Sequence, residues 1–232
     1  MNQRTHSEEA TMTASVSHAR PIVFVVDDDI SVRESLELLL RCEGWEAETF
    51  ASAQEFLIRP RPLVPSCLVL DLSLPGLNGL ELQKRLAVER TDMPIMFITG
   101  HGDVSTSVRA MKAGAVEFLM KPFKHNVLVN AIRESLDRSR LALAREMEMR
   151  ILWNRYALLT RREREVMALV VSGLLNKQAG GELGISEITV KAHRRQVMQK
   201  MMAQSLADLV RIATRLGPYR AVNSASSADV AA

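Results

Sequence analysis

The stretch Ile22-Val23-Phe24-Val25-Val26-Asp27-Asp28-Asp29 decides the fold, because it joins an apolar, mostly β-branched run to consecutive carboxylates. An apolar run without alternation is typical of a strand that is buried on both faces of a parallel sheet. Three further runs have this character, at residues 67–70, 95–98 and 116–119. Apolar residues at helical spacing separate the runs, so residues 21–136 are predicted to form repeated βα units and a doubly wound α/β domain.

Polar residues follow all four runs. Asp27 and Asp28 come directly after the first run, and Asp71 comes after the second. Thr99 follows the third run, and Lys121 lies two residues beyond the fourth. Ligands of a doubly wound sheet bind outside the carboxyl ends of its strands, so these side chains are expected to share one site. Crowded carboxylates need a cation, and oxygen-only ligation favours Mg²⁺. Such a site suits a phosphoryl group, with Asp71 as the nucleophile that becomes an aspartyl phosphate.

Each strand-end residue also has a simpler interpretation. An aspartate at a strand end often caps the following helix, which is the alternative for Asp29. Lys121 taken singly is compatible with a surface charge, and Thr99 with an ordinary turn residue. Their combination at four strand ends favours a common site.

Four segments of this half of the chain resemble a known family. They read Val25-Val26-Asp27-Asp28-Asp29, Leu70-Asp71-Leu72-Ser73-Leu74-Pro75-Gly76-Leu77-Asn78-Gly79, Phe97-Ile98-Thr99-Gly100-His101-Gly102-Asp103 and Phe118-Leu119-Met120-Lys121-Pro122-Phe123. With these segments in this order, residues 21–137 resemble the receiver domain of two-component response regulators. The resemblance implies a flavodoxin-like fold with a five-stranded parallel sheet.

The resemblance also implies a phosphoacceptor and a metal site. It implies that Asp71 accepts phosphate from a sensor histidine kinase. It implies that Mg²⁺ is held by Asp27, Asp28, Asp71 and the backbone carbonyl of Ser73.

Further roles are implied for residues around the phosphate. Thr99 and Lys121 are expected to contact it. Phe118 matches the family's aromatic switch, whose ring turns inward when Thr99 moves toward the phosphoryl group; a plain core aromatic is the alternative. Asn78 departs from the aspartate that many receivers carry, and His101 is expected to be a surface or hinge residue rather than a metal ligand.

The net charge of +3 conceals two halves of opposite sign. Residues 21–136 contain 12 basic and 16 acidic residues, a net charge of −4, whereas residues 137–217 contain 15 and 8, a net charge of +7. A basic segment of this size points to an anionic partner for the second half.

The second half has the start and turn signals of a helix-turn-helix. Thr160 followed by Glu163 is a capping-box pattern that begins a helix. Asn176 is expected to cap a second helix, and Ser186 a third that runs to about residue 202. The apolar residues of the third helix recur on one side, at Val190, Val197 and Met201.

The other side of the third helix is basic. A helix fits the major groove of DNA, where lysine and arginine reach guanine and glutamine reaches adenine. Lys191 and Arg195 are the candidates for reading bases, while other residues are expected to contact phosphates. A solvated basic helix face is the alternative. The complete set of expected DNA contacts is Lys177, Thr189, Lys191, Ala192, His193, Arg194, Arg195 and Gln199.

Residues 159–216 resemble the LuxR-type helix-turn-helix of FixJ/NarL-like regulators. The motifs are Leu159-Thr160-Arg161-Arg162-Glu163, Ile185-Ser186-Glu187-Ile188-Thr189-Val190-Lys191-Ala192-His193 and Lys200-Met201. The resemblance implies a fourth helix, near residues 206–216, that can serve in dimerisation. Gly180-Gly181 departs from the family pattern, and two glycines within a helix are expected to fray or shorten it.

The predicted organisation has five parts. These are a disordered tail at 1–20, a receiver domain at 21–137, a helical linker at 138–156, an all-α helix-turn-helix domain at 157–217 and a disordered tail at 218–232. The helix that contains the linker, about residues 131–156, is expected either to pack on the receiver or to form a short coiled coil.

Several classes of protein are excluded by composition. No apolar run approaches the length of a membrane span, and residues 1–20 lack the apolar centre of a secretory signal. Cys42 and Cys67 fit no zinc spacing and are too few for a disulfide framework. The chain is therefore expected in the cytoplasm, without membrane contact.

The prediction for function is a transcription regulator, not an enzyme, that binds double-stranded promoter DNA when Asp71 is phosphorylated. A homodimer on phosphorylation is expected, and RNA polymerase is a further candidate partner. One alternative is a Mg²⁺-dependent phosphatase or phosphotransferase; it is disfavoured because Ser73 stands where a second catalytic carboxylate is needed. The other is a regulator whose basic domain binds RNA or protein.

Overall fold

A computed structural model describes residues 20–100 and 104–217. The chain divides into two compact units, Met1–Arg145 and Glu146–Ala232. Residues 101–103, which include His101, lie outside the described residues. So do both tails that are predicted to be disordered, except for Arg20.

The described part of the first unit contains a five-stranded parallel sheet in the order β2-β1-β3-β4-β5. This is the doubly wound sheet that the sequence predicts. The strands are β1 (Ile22–Val26), β2 (Glu46–Phe50), β3 (Ser66–Asp71), β4 (Ile95–Thr99) and β5 (Glu117–Met120). The last strand is shifted by one residue from the predicted run, so Lys121 follows it directly.

Helices alternate with these strands. They are α1 (Ile30–Cys42), α2 (Ala53–Ile58), α3 (Gly79–Glu89), α4 (Val104–Lys112) and α5 (His125–Ala157). The side chain of Asp29 accepts a hydrogen bond from the Ser31 backbone at the start of α1, so the capping alternative for Asp29 is confirmed.

Strand β2 is the element that apolar runs did not locate. Its sequence, Glu-Ala-Glu-Thr-Phe, is largely polar because β2 lies at the edge of the sheet and pairs with β1 alone. Its Glu48 carboxylate accepts two hydrogen bonds from Arg59, at 2.6 and 2.8 Å, and Phe50 packs edge-on against Phe56. An edge strand is stabilised by such contacts without a continuous apolar run.

Alternate residues of each central strand pack on opposite faces of the sheet. Phe24 and Val26 belong to one apolar cluster, whereas Val23 and Val25 belong to the other. Both clusters are closed by helices, which explains why these runs are apolar at every position. The sheet therefore holds its carboxyl-end residues on a rigid platform.

Helix α5 begins at His125, earlier than predicted. Within the first unit Leu136 and Leu143 are buried, and the hydroxyl of Ser139 accepts a hydrogen bond from the Ser66 backbone at 3.0 Å. This part of the helix therefore packs on the sheet of the first unit, which is one of the two alternatives that the sequence left open for this helix. In the second unit Leu152 belongs to that unit's own apolar cluster.

The second unit continues with four further helices among its described residues. They are α6 (Arg161–Val171), α7 (Asn176–Leu183), α8 (Glu187–Met201) and α9 (Leu206–Arg215). The capping box of Thr160 and Glu163 and the cap of Ser186 are confirmed. The cap expected of Asn176 is wrong: Leu175 occupies the N-cap position, and Asn176 is the first residue of α7.

Glu163 also joins two helices of this unit. The residue is 5% exposed, and its carboxylate accepts hydrogen bonds from the Lys200 ammonium at 2.7 and 2.9 Å. Burial raises the pKa of Glu163, but Lys200 and the Thr160 backbone outweigh that effect and leave the pKa below its usual value. The pair therefore ties the end of α8 to the start of α6.

The two glycines of α7 have different environments. A Cβ added at Gly180 would lie 2.7 Å from the Ile185 carbonyl oxygen, whereas a Cβ at Gly181 would meet nothing within 4 Å. The turn after α7 thus approaches Gly180 closely, and only that glycine is required by packing. The departure of the first glycine from the family pattern has a structural reason, and that of the second has none.

We expect Gly181→Ala to stabilise the second unit by about 0.5–1 kcal/mol, because alanine loses less backbone entropy in a helix. Gly180→Ala is expected to destabilise it by about 1–3 kcal/mol, because the added methyl group overpacks the turn. Thermal unfolding followed by Trp153 fluorescence in a Trp45→Phe background reports on the second unit alone. Equal effects of the two substitutions on the thermal midpoint would contradict the inference that packing requires Gly180 and not Gly181.

Among the described residues, no helix combines the length and apolar character needed to cross a membrane.

Candidate functional site

The carboxyl ends of β1, β3 and β5 bring three predicted residues together. Asp27 follows β1 and is fully buried, Asp71 ends β3 and is 7% exposed, and Lys121 follows β5. The Lys121 ammonium lies 2.7 Å from Asp27 Oδ2 and 3.4 Å from Asp71 Oδ2. Lysine therefore bridges the two carboxylates across the edge of the sheet.

Electrostatics of this site favour a positive charge. Burial raises the pKa of Asp27 despite the hydrogen bonds from Lys121 and the Asp29 backbone, because a buried carboxylate is poorly solvated. Burial lowers the pKa of Lys121, but the attraction of Asp27 and Asp71 outweighs that effect and raises it overall. Lys121 is thus held as a cation beside carboxylates that need one.

Asp28 completes an acidic cluster. One carboxylate oxygen from each of Asp27, Asp28 and Asp71 lies within 4.8 Å of the other two. Asp28 is exposed, so the cluster opens to solvent on one side. Several carboxylate oxygens with an open side fit a hard divalent cation that keeps part of its water shell.

The remaining predicted residues of the site lie on β4, on β5 and in the loop after β3. Thr99 ends β4 and is fully buried, and its backbone carbonyl accepts a hydrogen bond from the Lys121 backbone N–H at 2.8 Å. Ser73 donates its backbone N–H to Asp71 Oδ1 at 3.3 Å, which places it next to the Asp71 side chain. Phe118 is half-buried and pairs in register with Phe97, 6.2 Å away between ring centroids.

Two residues that support the cluster were not identified from sequence. The Arg33 guanidinium donates to the backbone carbonyls of Asp27 and Asp28, at 2.7 and 2.9 Å, and so fixes the acidic loop. Gly79 is needed because a Cβ there would lie 2.6 Å from the Asp71 carbonyl oxygen. A strand-end aspartate followed by arginine one helical turn into α1 was the available signal for Arg33.

Asn78, which departs from the family pattern, has a local role at the start of a helix. Its side chain accepts a hydrogen bond from the Glu81 backbone at 3.0 Å, and the Glu81 carboxylate accepts from the Asn78 backbone at 3.3 Å. This capping box begins α3 after the loop that follows Asp71.

Helix α8 presents the predicted basic face. Its apolar residues Val190, Val197 and Met201 are fully buried, whereas Lys191, Arg195 and Gln199 are exposed. Glu187 pairs with Lys191 at 2.9 Å along the same face. The exposed side of α8 is therefore free of the unit's apolar core and rich in hydrogen-bond donors.

The other expected DNA contacts differ in how they are held. Lys177, Thr189 and Ala192 are exposed, and His193 is half-buried. Arg194 is half-buried and donates to the Asn176 side chain at 3.1 Å, which links α8 to the start of α7. That link is the role that Asn176 has in place of capping.

Two family models match the chain. The model of the response regulator receiver domain matches residues 23–133, and the model of bacterial regulatory proteins of the LuxR family matches residues 157–213.

Similar proteins match along most of the chain. Nodulation protein W of Bradyrhizobium diazoefficiens is 48% identical and aligns with 93% of this chain and 91% of its own length. Transcriptional regulatory protein FixJ of Azorhizobium caulinodans is 44% identical over 84% of this chain and 92% of its own. The solved structure of response regulator StyR is 50% identical, with a TM-score of 0.75, and covers 85% of this chain and 100% of its own.

Proposed function

The chain belongs to the two-component response regulators of the FixJ/NarL type, which join a receiver domain to a LuxR-type helix-turn-helix, and from this premise we propose that phosphorylation of Asp71 controls binding to promoter DNA. The chain is a DNA-binding transcription regulator, and its family is not one of enzymes. A receiver domain implies a histidine kinase as partner, and a LuxR-type helix-turn-helix implies DNA.

The proposal for Asp71 is carried by one observation: its carboxylate belongs to the acidic cluster and also lies 3.4 Å from the Lys121 ammonium. In the proposed step, an Asp71 oxygen attacks the phosphorus of a phosphohistidine. The new P–O bond forms as the P–N bond breaks, and the imidazole leaves. Lys121, 3.4 Å from Asp71 in the unphosphorylated chain, then neutralises charge on the phosphoryl oxygens.

We further propose that Asp27, Asp28, Asp71 and the Ser73 carbonyl hold Mg²⁺. The fit rests on three carboxylates that can direct oxygens within 4.8 Å of one another and on the exposed side of Asp28. A bound Mg²⁺ would supply neutralisation of the phosphoryl charge. Arg33 contributes by fixing the two backbone carbonyls of the acidic loop.

The output step proposed for the receiver begins at Thr99 and Phe118. Thr99 is expected to move toward the phosphoryl group, and the Phe118 ring to turn inward. The surface around residues 104–123 would then change and pair with a second copy. Large apolar side chains that are exposed there, Val104, Val108, Met111 and Met120, support a protein contact at this surface.

In the helix-turn-helix, α8 is proposed to lie in the major groove. Lys191 and Arg195 would read base edges, with Ala192 and Gln199 beside them, while Lys177, Thr189, His193 and Arg194 would contact phosphates. A dimer would place two such helices about one DNA turn apart, so the target is a repeat of short half-sites. RNA polymerase is proposed as a further partner. A cytoplasmic location is also proposed, because the promoter DNA that the chain would bind lies in the cytoplasm.

The domain boundaries remain a proposal of receiver 21–137, linker 138–156 and helix-turn-helix 157–217. The two matched families, at residues 23–133 and 157–213, support boundaries close to these. The two compact units meet at residue 145, within the proposed linker.

The proposal is tested by incubating the full-length chain with a small phosphodonor, with and without Mg²⁺, and locating the phosphate by peptide mass spectrometry. We expect modification of Asp71 that depends on Mg²⁺ and disappears with a chelator. Asp137→Asn, which removes an exposed carboxylate on α5, is the control and should still be phosphorylated. Phosphate on a different residue, or equal yield without a divalent cation, would contradict the proposed site.

A further inference from the structure

The side chain of Ile188 is 79% exposed, whereas Val190, Val197 and Met201 on the same helix are fully buried. A single exposed isoleucine is common on protein surfaces and indicates nothing by itself. Its position is what distinguishes it. Ile188 is the second residue of α8, and the first residues of a recognition helix are those that contact base edges in a helix-turn-helix.

Ile188 shares a face of the helix with the proposed base-reading residues. Lys191 and Ala192 lie three and four residues further along α8, and Arg195 lies seven further, so all four side chains fall on one side. Lys191, Ala192 and Arg195 are exposed. The isoleucine is therefore an apolar group within a basic surface rather than part of the unit's core.

The backbone that carries Ile188 is fixed. The Ser186 hydroxyl accepts a hydrogen bond from the Thr189 backbone at 3.1 Å and lies 2.8 Å from the Thr189 hydroxyl. Isoleucine in a helix also populates chiefly one χ1 rotamer, because its side chain is branched at Cβ. A contact made by Ile188 would thus cost little conformational entropy.

The chemistry of the major groove limits what this side chain can contact. Isoleucine has no hydrogen-bonding group, so it reads neither phosphates nor the polar base edges. The apolar group that the major groove presents is the C5 methyl of thymine. We infer that Ile188 contacts a thymine methyl group beside the base pairs read by Lys191 and Arg195, and so adds a preference for thymine to each half-site. This inference rests on the proposed DNA-binding function of α8.

The test uses the full-length chain with a small phosphodonor and a duplex selected by it from a random pool. Each thymine of the selected site is replaced in turn by deoxyuridine, which removes only the C5 methyl group. The dissociation constant is measured for the unsubstituted chain, for Ile188→Ala and for Val88→Ala, an exposed valine on α3 that serves as control. Neither substitution removes a buried group, so both variants are expected to fold.

One thymine in each half-site is expected to show a coupled effect. Loss of its methyl should weaken binding of the unsubstituted chain and of Val88→Ala about fourfold, because burial of one methyl group contributes about 0.8 kcal/mol. Ile188→Ala, which removes the contact from both half-sites, should bind the thymine duplex about fourfold more weakly for each half-site and be insensitive to the same replacement. Such a double-mutant cycle isolates the contact from any general weakening.

Three results would overturn the inference. The first is that replacement of each thymine by deoxyuridine changes the dissociation constants of Ile188→Ala and of the unsubstituted chain by the same factor. The second is weaker binding by Ile188→Ala that arises from impaired dimerisation, seen as altered sedimentation with unchanged thymine preference; Ile188 would then contact protein. The third is a pool that yields no selected sequence, which overturns the proposed function as well, whereas the first two leave it standing.

Discussion

Asp71→Asn is expected to abolish the stimulation of DNA binding by a phosphodonor while leaving the fold and the basal affinity unchanged. Asparagine has nearly the volume of aspartate, but its amide cannot form the acyl phosphate. The substitution also relieves repulsion between Asp71 and buried Asp27, and Lys121 keeps its 2.7 Å contact with Asp27. Loss of structure is therefore not expected.

The size of this effect follows from the coupling between two sites. Effectors typically change affinity by 1–3 kcal/mol, so phosphorylation is expected to tighten binding of one duplex roughly 5- to 150-fold. For Asp71→Asn, the ratio of the dissociation constants without and with phosphodonor should be one. Fluorescence anisotropy with labelled duplex measures it, and circular dichroism checks the fold. Asp137→Asn should keep the full stimulation, and a variant at Asp71 that still gained affinity would show that the acceptor is another residue.

Arg195→Ala is expected to weaken binding to the selected duplex roughly 5- to 150-fold for each half-site and to relax the preference for one base pair. The physical reason is the loss of a bidentate contact to guanine, which contributes about 1–3 kcal/mol of discrimination. Arg195 is exposed, so its truncation removes no packing from the core of the second unit. Lys191→Ala should have a smaller effect, because Lys191 must first leave Glu187, 2.9 Å away.

The matched control for Arg195 is Arg150→Ala, which removes an exposed arginine from α5 in the same unit. Competition between selected and random duplex at several salt concentrations separates the two roles of arginine. Loss of specificity only in Arg195→Ala is the expected pattern. If both substitutions weakened selected and random duplex equally, Arg195 would be a phosphate contact without a role in reading sequence.

The convergence of residues at the receiver site was predictable from sequence because strand ends meet at one edge of a parallel sheet. Asp27, Asp71 and Lys121 follow apolar runs, and the contacts of Lys121 with the two carboxylates, at 2.7 and 3.4 Å, require only that those runs become strands of one parallel sheet. Arg33 was not predicted, because its role depends on a helical side chain reaching backbone carbonyls. The signal in the chain is an arginine one helical turn after the strand-end aspartates, and that spacing alone does not specify a contact with backbone carbonyls.

The errors of prediction have a similar cause. Strand β2 was not located because edge strands need only partial burial, and Asn176 was assigned a cap because the residue type favours one. In the folded unit its amide instead accepts a hydrogen bond from Arg194. The glycines of α7 are alike in sequence and differ only in the distance of the Ile185 carbonyl. Long-range contacts decide each case.

The measurement that tests the central claim most directly is chromosome-wide mapping of DNA bound by the chain in cells, compared with cells that carry Asp71→Asn. The account predicts that bound regions share a repeated short motif and that Asp71→Asn loses most of them at equal protein abundance. Occupancy of the same regions to the same extent by both proteins would contradict control of DNA binding by phosphorylation of Asp71.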